Sequence, residues 1–408
     1  MTTNTADIAA GPLARIKVLD LCIARAGPTC VRVLADHGAQ VTQVVRPGGG
    51  GDVHLPAFDR ENLHRNKRSI AINLQTDAGR EVLYRLVKDA DVVVENYRAD
   101  VKKRLGIDYE TLRGINPRII LASLSGFGQD GPYSGRPGVD QIAQGLGGLM
   151  SVTGQAGTGP WRVGIPIADL TSGLYLAHGV MAAIIERETS GEGQWVQTSL
   201  LEAMIAMMDF QATNWLIAGE IPGQAGNDHP NGFPTGVFPT RDGAINIAAS
   251  GERMWRDFLK VIGAEEIGDD ERFATPKGRS VLRAELRALV EPHLREKDSA
   301  YWVEAFSKAG VPCGPILSVD KVFEDPQVKH LEMVTTIESP MSGTLNIVRS
   351  PTRLSRTPTA IRTAAPKPGS STSEVLAEAG YNDAEIAQLL EDGVIEQTDG
   401  STPRKDNW

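Results

Sequence analysis

RIKVLDLCIARAGPTCVRVLADHGAQVTQVVRPGGGG, residues 15–51, decides the fold. RIKVLDLC is a short β-branched apolar run of strand length, and AGPTCVRVLADHGAQ repeats its apolar residues at helical spacing. VTQVVRPGGGG then reads as a second strand ending in a glycine loop, so the stretch is a βαβ unit. The alternation continues: DAGREVLYRLVKDA is an amphipathic helix, DVVVENY a buried strand, YETLRGINP a short helix stopped by proline, and IILASLSGFG another buried strand. The expected class is α/β, a doubly wound, Rossmann-like parallel sheet with ligands at the carboxyl ends of its strands.

The chain has 408 residues, too many for one core, and 41% of them are hydrophobic. Its formal net charge of −9 argues against a nucleic-acid or membrane partner bound through overall charge. An anionic ligand must therefore meet a local basic cluster. The first residues lack the basic start and apolar core of a secretion signal, and no uninterrupted apolar run approaches ~18 residues, so a cytoplasmic location is expected. Cys22, Cys30 and Cys313 show no CxxC or Cys/His ligand spacing; no metal site is expected, and the cysteines read as reduced core residues.

Further along, IADLTSGLYLAHGVMAAIIERE carries Asp169 ahead of a helix that reads as buried on nearly all sides. WVQTSL is a strand and LEAMIAMMDFQATNWLIAG a second apolar helix. EIPGQAGNDHPNGFPTG has the composition of a linker or lid. These features divide the chain into 1–222, the first part of a large domain; 223–325, a small inserted α+β domain with its lid; and 326–408, a return to the large domain with a final helix and a mobile charged tail.

GxGxxG after the first strand, GxxxxGK[ST] and HExxH are all absent. Gly48 to Gly51 is either a flexible loop or a backbone cradle for phosphate. Arg60, Arg65, Lys67 and Arg68 crowd ahead of a strand, either as a solvated face or as a local potential for an anionic cofactor. Asp169 has two readings as well. It is an N-cap worth on the order of 1 kcal/mol, or an ionised carboxylate nucleophile held near oxyanion donors at Ser172 and Gly173.

In order and spacing these segments, together with NKRSIAINL, DADVVVENYRADVKKRLGIDYETL, NPRIILASLSGFGQDGPY, GEGQWVQTSLLEA, GVPCGPI and EVLAEAGYNDAEI, resemble the class III (CaiB/BaiF-type) CoA-transferases over nearly the whole chain. The resemblance implies that Asp169 of IADLTSG is the nucleophile, that coenzyme A enters as acyl-CoA substrate with no permanently bound cofactor, and that a carboxylic acid is the acceptor. It also implies an interlocked homodimer. The matching CoA contacts are Arg25 and Ala26, Arg46, Ile72, Asn73, Leu74 and Gln75, Asn96, Tyr97 and Arg98, Arg104, and Arg136. Arginine suits phosphates because its planar fork bonds two oxygens at once. Formyl-CoA transferase has glutamine where this chain has Arg25. On the acid side the matching positions are Val139 and Asp140 in RPGVDQIAQG, with Asn227 and His229 of the lid; His229 reads equally as a turn residue. Racemases of the superfamily carry a proton-transferring histidine at the position of Val139, and valine cannot move a proton. An acyl-CoA racemase or epimerase and a non-catalytic CoA-binding subunit of a heteromeric transferase are the alternative readings.

Overall fold

A computed structural model describes residues 11–49 and 55–399. Gly50 and Gly51 of the glycine run and the tail from 400 onward lie outside the described residues. The chain forms two compact units: residues 1–149, 163–212 and 331–408, and residues 150–162 and 213–330.

The first unit is built on β1 (Lys17–Asp20), β2 (Gln40–Val45), β3 (Lys67–Ile72), β4 (Val92–Glu95), β5 (Ile120–Ser125) and β6 (Trp195–Ser199). These six strands are parallel, in the order β3-β2-β1-β4-β5-β6, so the doubly wound expectation is borne out. The two-residue Ile395–Glu396 adds an antiparallel edge beside β3, with Ile395 opposite Ile72. Val92, Val93 and Val94, like Ile120, Leu121 and Ala122, are fully buried, because helices cover both faces of the sheet.

On one face, α1 (Ala26–Asp36) and the long α7 (Ile167–Ser190) join the core through Cys30, Val31, Leu34, Leu176, Ala177 and Val180. On the other, α3 (Asp77–Val87) packs Val82, Leu83, Leu86 and Val87 with Val375, Leu376 and Ile386 from the C-terminal helices. Between α1 and α3 lies α2 (Ala57–His64); α4 (Ala99–Leu105), α5 (Tyr109–Ile115) and α6 (Asp140–Leu146) precede α7 (Ile167–Ser190), and α8 (Leu200–Met207) follows it.

Helix α7 is long and apolar enough by composition to cross a membrane, but one face packs into this core. It is not buried all round, since Leu174, Tyr175 and Ile185 remain exposed. Its inner stripe meets α1 and the sheet, and it also packs on α6 and α8. The second apolar helix is also interrupted. It ends at Met207, a short turn runs from Asp209 to Thr213, and a π-helical turn covers Asn214–Ala218, with Asp209 at φ 43° marking the break. The final helix is likewise two, Thr372–Glu378 and Asp383–Glu391, parted at Gly380 with φ 83°.

The second unit holds an antiparallel sheet of Thr235–Pro239, Ala244–Ala248 and Cys313–Pro315. Its core gathers Phe233, Phe238, Trp255, Phe258 and Phe306, with Phe258 and Phe306 stacked at 5.5 Å. Arg287 lies over the Phe238 ring at 4.5 Å, donates to the Val237 carbonyl at 2.9 Å, and pairs with Asp228.

Candidate active site

The carboxyl ends of the parallel strands bring loops from distant parts of the sequence to one edge of the first unit. The turn after β1 is tied to the turn after β4: the Asn96 side chain accepts the Ile23 N–H at 2.9 Å and donates to the Ile23 carbonyl at 2.7 Å. Beneath this loop, Glu95 accepts the Tyr97 N–H at 2.8 Å and the Lys102 ammonium at 2.8 Å, and both charged side chains are buried. Arg98 and Lys103 line a cleft of about 460 Å³ beside Gln129 and Ser134.

Arg46 lies exposed just past β2, and Asn73 to Gln75 follow β3, where the Asn73 carboxamide accepts the Gln75 N–H at 3.2 Å. Arg104 is exposed at the end of α4. Arg136 stacks on the Tyr133 ring at 3.8 Å. Ala26 and Ile72 are buried, so only their backbone can face a ligand.

Asp169 is not the N-cap of α7. The helix starts two residues earlier, at Ile167, and its N-cap is Pro166, whose side chain accepts nothing. The capping carboxylate comes from elsewhere: Asp140, at the start of α6, accepts the Ala168 N–H at 2.8 Å. Its second oxygen takes a 2.7 Å bond from Gln144, one turn along α6, and the Gln144 carboxamide oxygen accepts the Val163 N–H at 2.9 Å. The Asp140–Gln144 pair therefore fixes the segment leading into α7 and leaves the Asp169 carboxylate without a capping duty. Gln144 escaped the sequence reading, although an Asp and a Gln four apart on a helix are side-chain neighbours.

Burial is the main cause that raises the Asp169 carboxyl to about 6, the Asp140 charge raises it further, and Arg25 pulls it down. A carboxylate so placed is ionised at neutral pH yet more basic than an exposed aspartate. The hydroxyl of Ser172 does not face it as an oxyanion donor, since it bonds back to the Ala168 carbonyl at 2.7 Å. Any residue with a Cβ fails at Gly173: the added atom would stand 2.5 Å from the Ala26 carbonyl oxygen, so glycine there lets α7 press against the first turn of α1. That contact sets Arg25, the residue preceding α1, near enough for its charge to act on the Asp169 carboxyl. Arg25 forms an ion pair with Asp59 of α2, a residue with no sequence signal to single it out.

The basic crowd at residues 60–68 is neither a solvated face nor an open docking patch. Lys67 is fully buried and bonds Asp20 at 2.8 Å, Arg65 is buried on Asp36 at 2.7 Å, and Arg68 binds Glu378 at 2.7 Å. Val139 is exposed as the N-cap of α6. Asn227 and His229 belong to the second unit, where they line a cleft of about 600 Å³ with Asn246 and Cys313. His229 Nδ1 accepts the Asn231 N–H at 3.2 Å, and Arg283 holds the Pro230 carbonyl at 2.7 Å, so this loop is tied down. Burial raises the thiols of Cys22, Cys30 and Cys313, the opposite of nucleophile activation.

Residues 13–372 match the family model of CoA-transferase family III. The chain belongs to that family. It is 38% identical to the succinate–glutarate CoA-transferase of Agrobacterium fabrum, a match covering 90% of this chain and 95% of the relative. It is 33% identical to the human succinyl-CoA:glutarate CoA-transferase, over 95% and 90% of the two chains. The crystal structure of a CaiB/BaiF family protein from Brucella suis superimposes with a TM-score of 0.80 at 35% identity, covering 91% of this chain and all of that one. This family III member is thus a CoA-transferase, an enzyme whose substrates are CoA thioesters and acids.

Proposed function

We propose that this CoA-transferase passes CoA from an acyl-CoA donor to a carboxylic acid through covalent intermediates on Asp169. The observation that carries the reading is the half-buried carboxylate in the first turn of α7, raised to about 6 and freed from capping by Asp140. Asp169 attacks the thioester carbonyl, the C–S bond breaks, and CoA leaves as thiolate from a mixed anhydride. The thiolate attacks the aspartyl carbonyl, releasing the donor acid and leaving an aspartyl-CoA thioester. The acceptor carboxylate displaces CoA to form a second anhydride. Thiolate attack on the acceptor's carbonyl then yields the new thioester and frees Asp169.

No step consumes a proton or an external activating group. A raised carboxyl pKa strengthens a nucleophile that is intrinsically weak, while keeping it charged at pH 7.

CoA is read to lie along the carboxyl edge of the sheet, its phosphates met by Arg46, Arg98, Arg104 and Arg136 and its path bordered by Asn73 to Gln75, Asn96 and Tyr97. Arg98 and Lys103 outnumber Asp100, which pairs with Arg98 at 3.4 Å, so the cleft keeps a net positive charge that supports that placement. Small dicarboxylic acids, which appear in the names of the relatives, are the first acids to test. Val139 offers no proton-transfer group, which disfavours the racemase reading.

A homodimer is part of the proposal. Leu174, Tyr175, Ile185, Ile205, Met207 and Phe210 are exposed in the single chain, an apolar area that a second copy would cover. Sedimentation of the purified protein at twice its 43.8 kDa chain mass is the expected result, and a monomer at micromolar concentration refutes this part.

The chemical test is trapping. Incubation with acyl-CoA followed by hydroxylamine or borohydride should leave a single modified residue, identified by peptide mass mapping as Asp169. A label on any other residue overturns the mechanism.

A further inference from the structure

An acid with a second carboxylate brings a charge into a partly buried site, and that charge needs a fixed partner there. Arg25 is placed to supply one. It stands at the β1-to-α1 turn, immediately before Ala26, and Gly173, one turn along α7 from Asp169, packs on the Ala26 carbonyl. Its Nη2 donates to Asp59, whose side chain is only 12% exposed, so the guanidinium is braced from behind. A guanidinium carries five N–H donors in a rigid fork. Among the described residues, Nε and Nη1 of Arg25 donate to no acceptor, and the side chain keeps 25% of its surface exposed.

The Arg25–Asp59 pair is close to neutral as a unit. That gives it little pull on a diphosphate, which calls for several uncompensated cations, but leaves a directional fork suited to one carboxylate. The geometry points to Arg25, braced by Asp59, as the receptor for the non-reacting carboxylate of a dicarboxylic acid whose other carboxylate meets Asp169. This assignment rests on Asp169 as the reacting centre, and it moves Arg25 from the CoA contacts to the acid side of the site.

The test compares two acceptors of equal chain length, glutarate and valerate, with succinyl-CoA saturating. In Arg25→Gln, the ratio of kcat/KM for glutarate to that for valerate should fall roughly 10- to 100-fold, the scale of losing a hydrogen bond to a charged group, and chiefly through the KM for glutarate. Arg25→Lys retains the charge without the fork and should recover part of the ratio. It also serves if the glutamine variant does not fold.

A ratio that stays within about 2-fold of the wild type overturns the assignment, as does a wild-type enzyme that shows no preference for glutarate. Equal losses with both acids would place Arg25 on the CoA side or on Asp169 itself, and also overturn it. Failure of the underlying mechanism looks different: exchange would then persist in Asp169→Ala whatever stands at position 25.

Discussion

Replacing Asp169 with alanine is expected to lower CoA exchange by on the order of 10⁴-fold or more, while CoA binding and the folded state persist. The size of the effect follows from the role. A residue that carries both the acyl group and CoA in turn cannot be bypassed by neighbours that only orient substrates. Asp140 is committed to the Ala168 N–H and Gln144, so it is not free to substitute.

The pH dependence of the wild type belongs to the same prediction. In the proposed mechanism Asp169 reacts only when ionised, and its carboxyl is raised to about 6, first by burial and then by Asp140, with Arg25 opposing. Exchange should therefore fall as pH drops below about 6, roughly tenfold per unit, and level off above it. Asp140→Asn removes the repelling charge while its remaining oxygen can still accept the Ala168 N–H, so the acid limb should move to lower pH. An unshifted limb in that variant, or exchange at the original rate in Asp169→Ala, would refute the role given to Asp169.

The second large effect is on stability. Lys67 and Asp20 are fully buried partners 2.8 Å apart, and Lys67→Met leaves the Asp20 carboxylate in the core without its counter-ion. The expected cost is about 3–5 kcal/mol, read as a shift in the first denaturant transition. Asp20→Leu combined with Lys67→Met should recover part of it, because an apolar pair needs no counter-ion, while the Cys22 N–H loses its acceptor. A single-variant loss under about 1 kcal/mol would show that the pair is solvated in solution. The consequence reaches the site, since Asp20 also accepts the Cys22 N–H at 3.0 Å and so shapes the turn that presents Arg25.

Strand and helix alternation through residues 15–128 was legible because each element there is specified by its own period: continuous apolar runs at β4 and β5, and helical spacing in α1 and α3. Where the signal is less regular the reading failed. Residues 200–218 and 372–391 have the composition of single helices, but backbone breaks at Asp209 and Gly380 divide them. The basic crowd at 65–68 was ambiguous for a related reason. Charge is visible in a sequence, but whether a carboxylate lies opposite is not: Asp20, Asp36 and Glu378 are contributed by β1, α1 and the C-terminal segment.

From the order of residues alone came the doubly wound class and Asp169 as a carboxylate of interest, because periodicity and short motifs are local properties. The environment of Asp169 is not local. Its capping substitute is Asp140, its opposing charge is Arg25, and the brace on Arg25 is Asp59, residues brought together only when α1, α6 and α7 pack on one sheet and α2 packs on α1. Electrostatic energy depends on separation in space, and only the tertiary structure sets that separation.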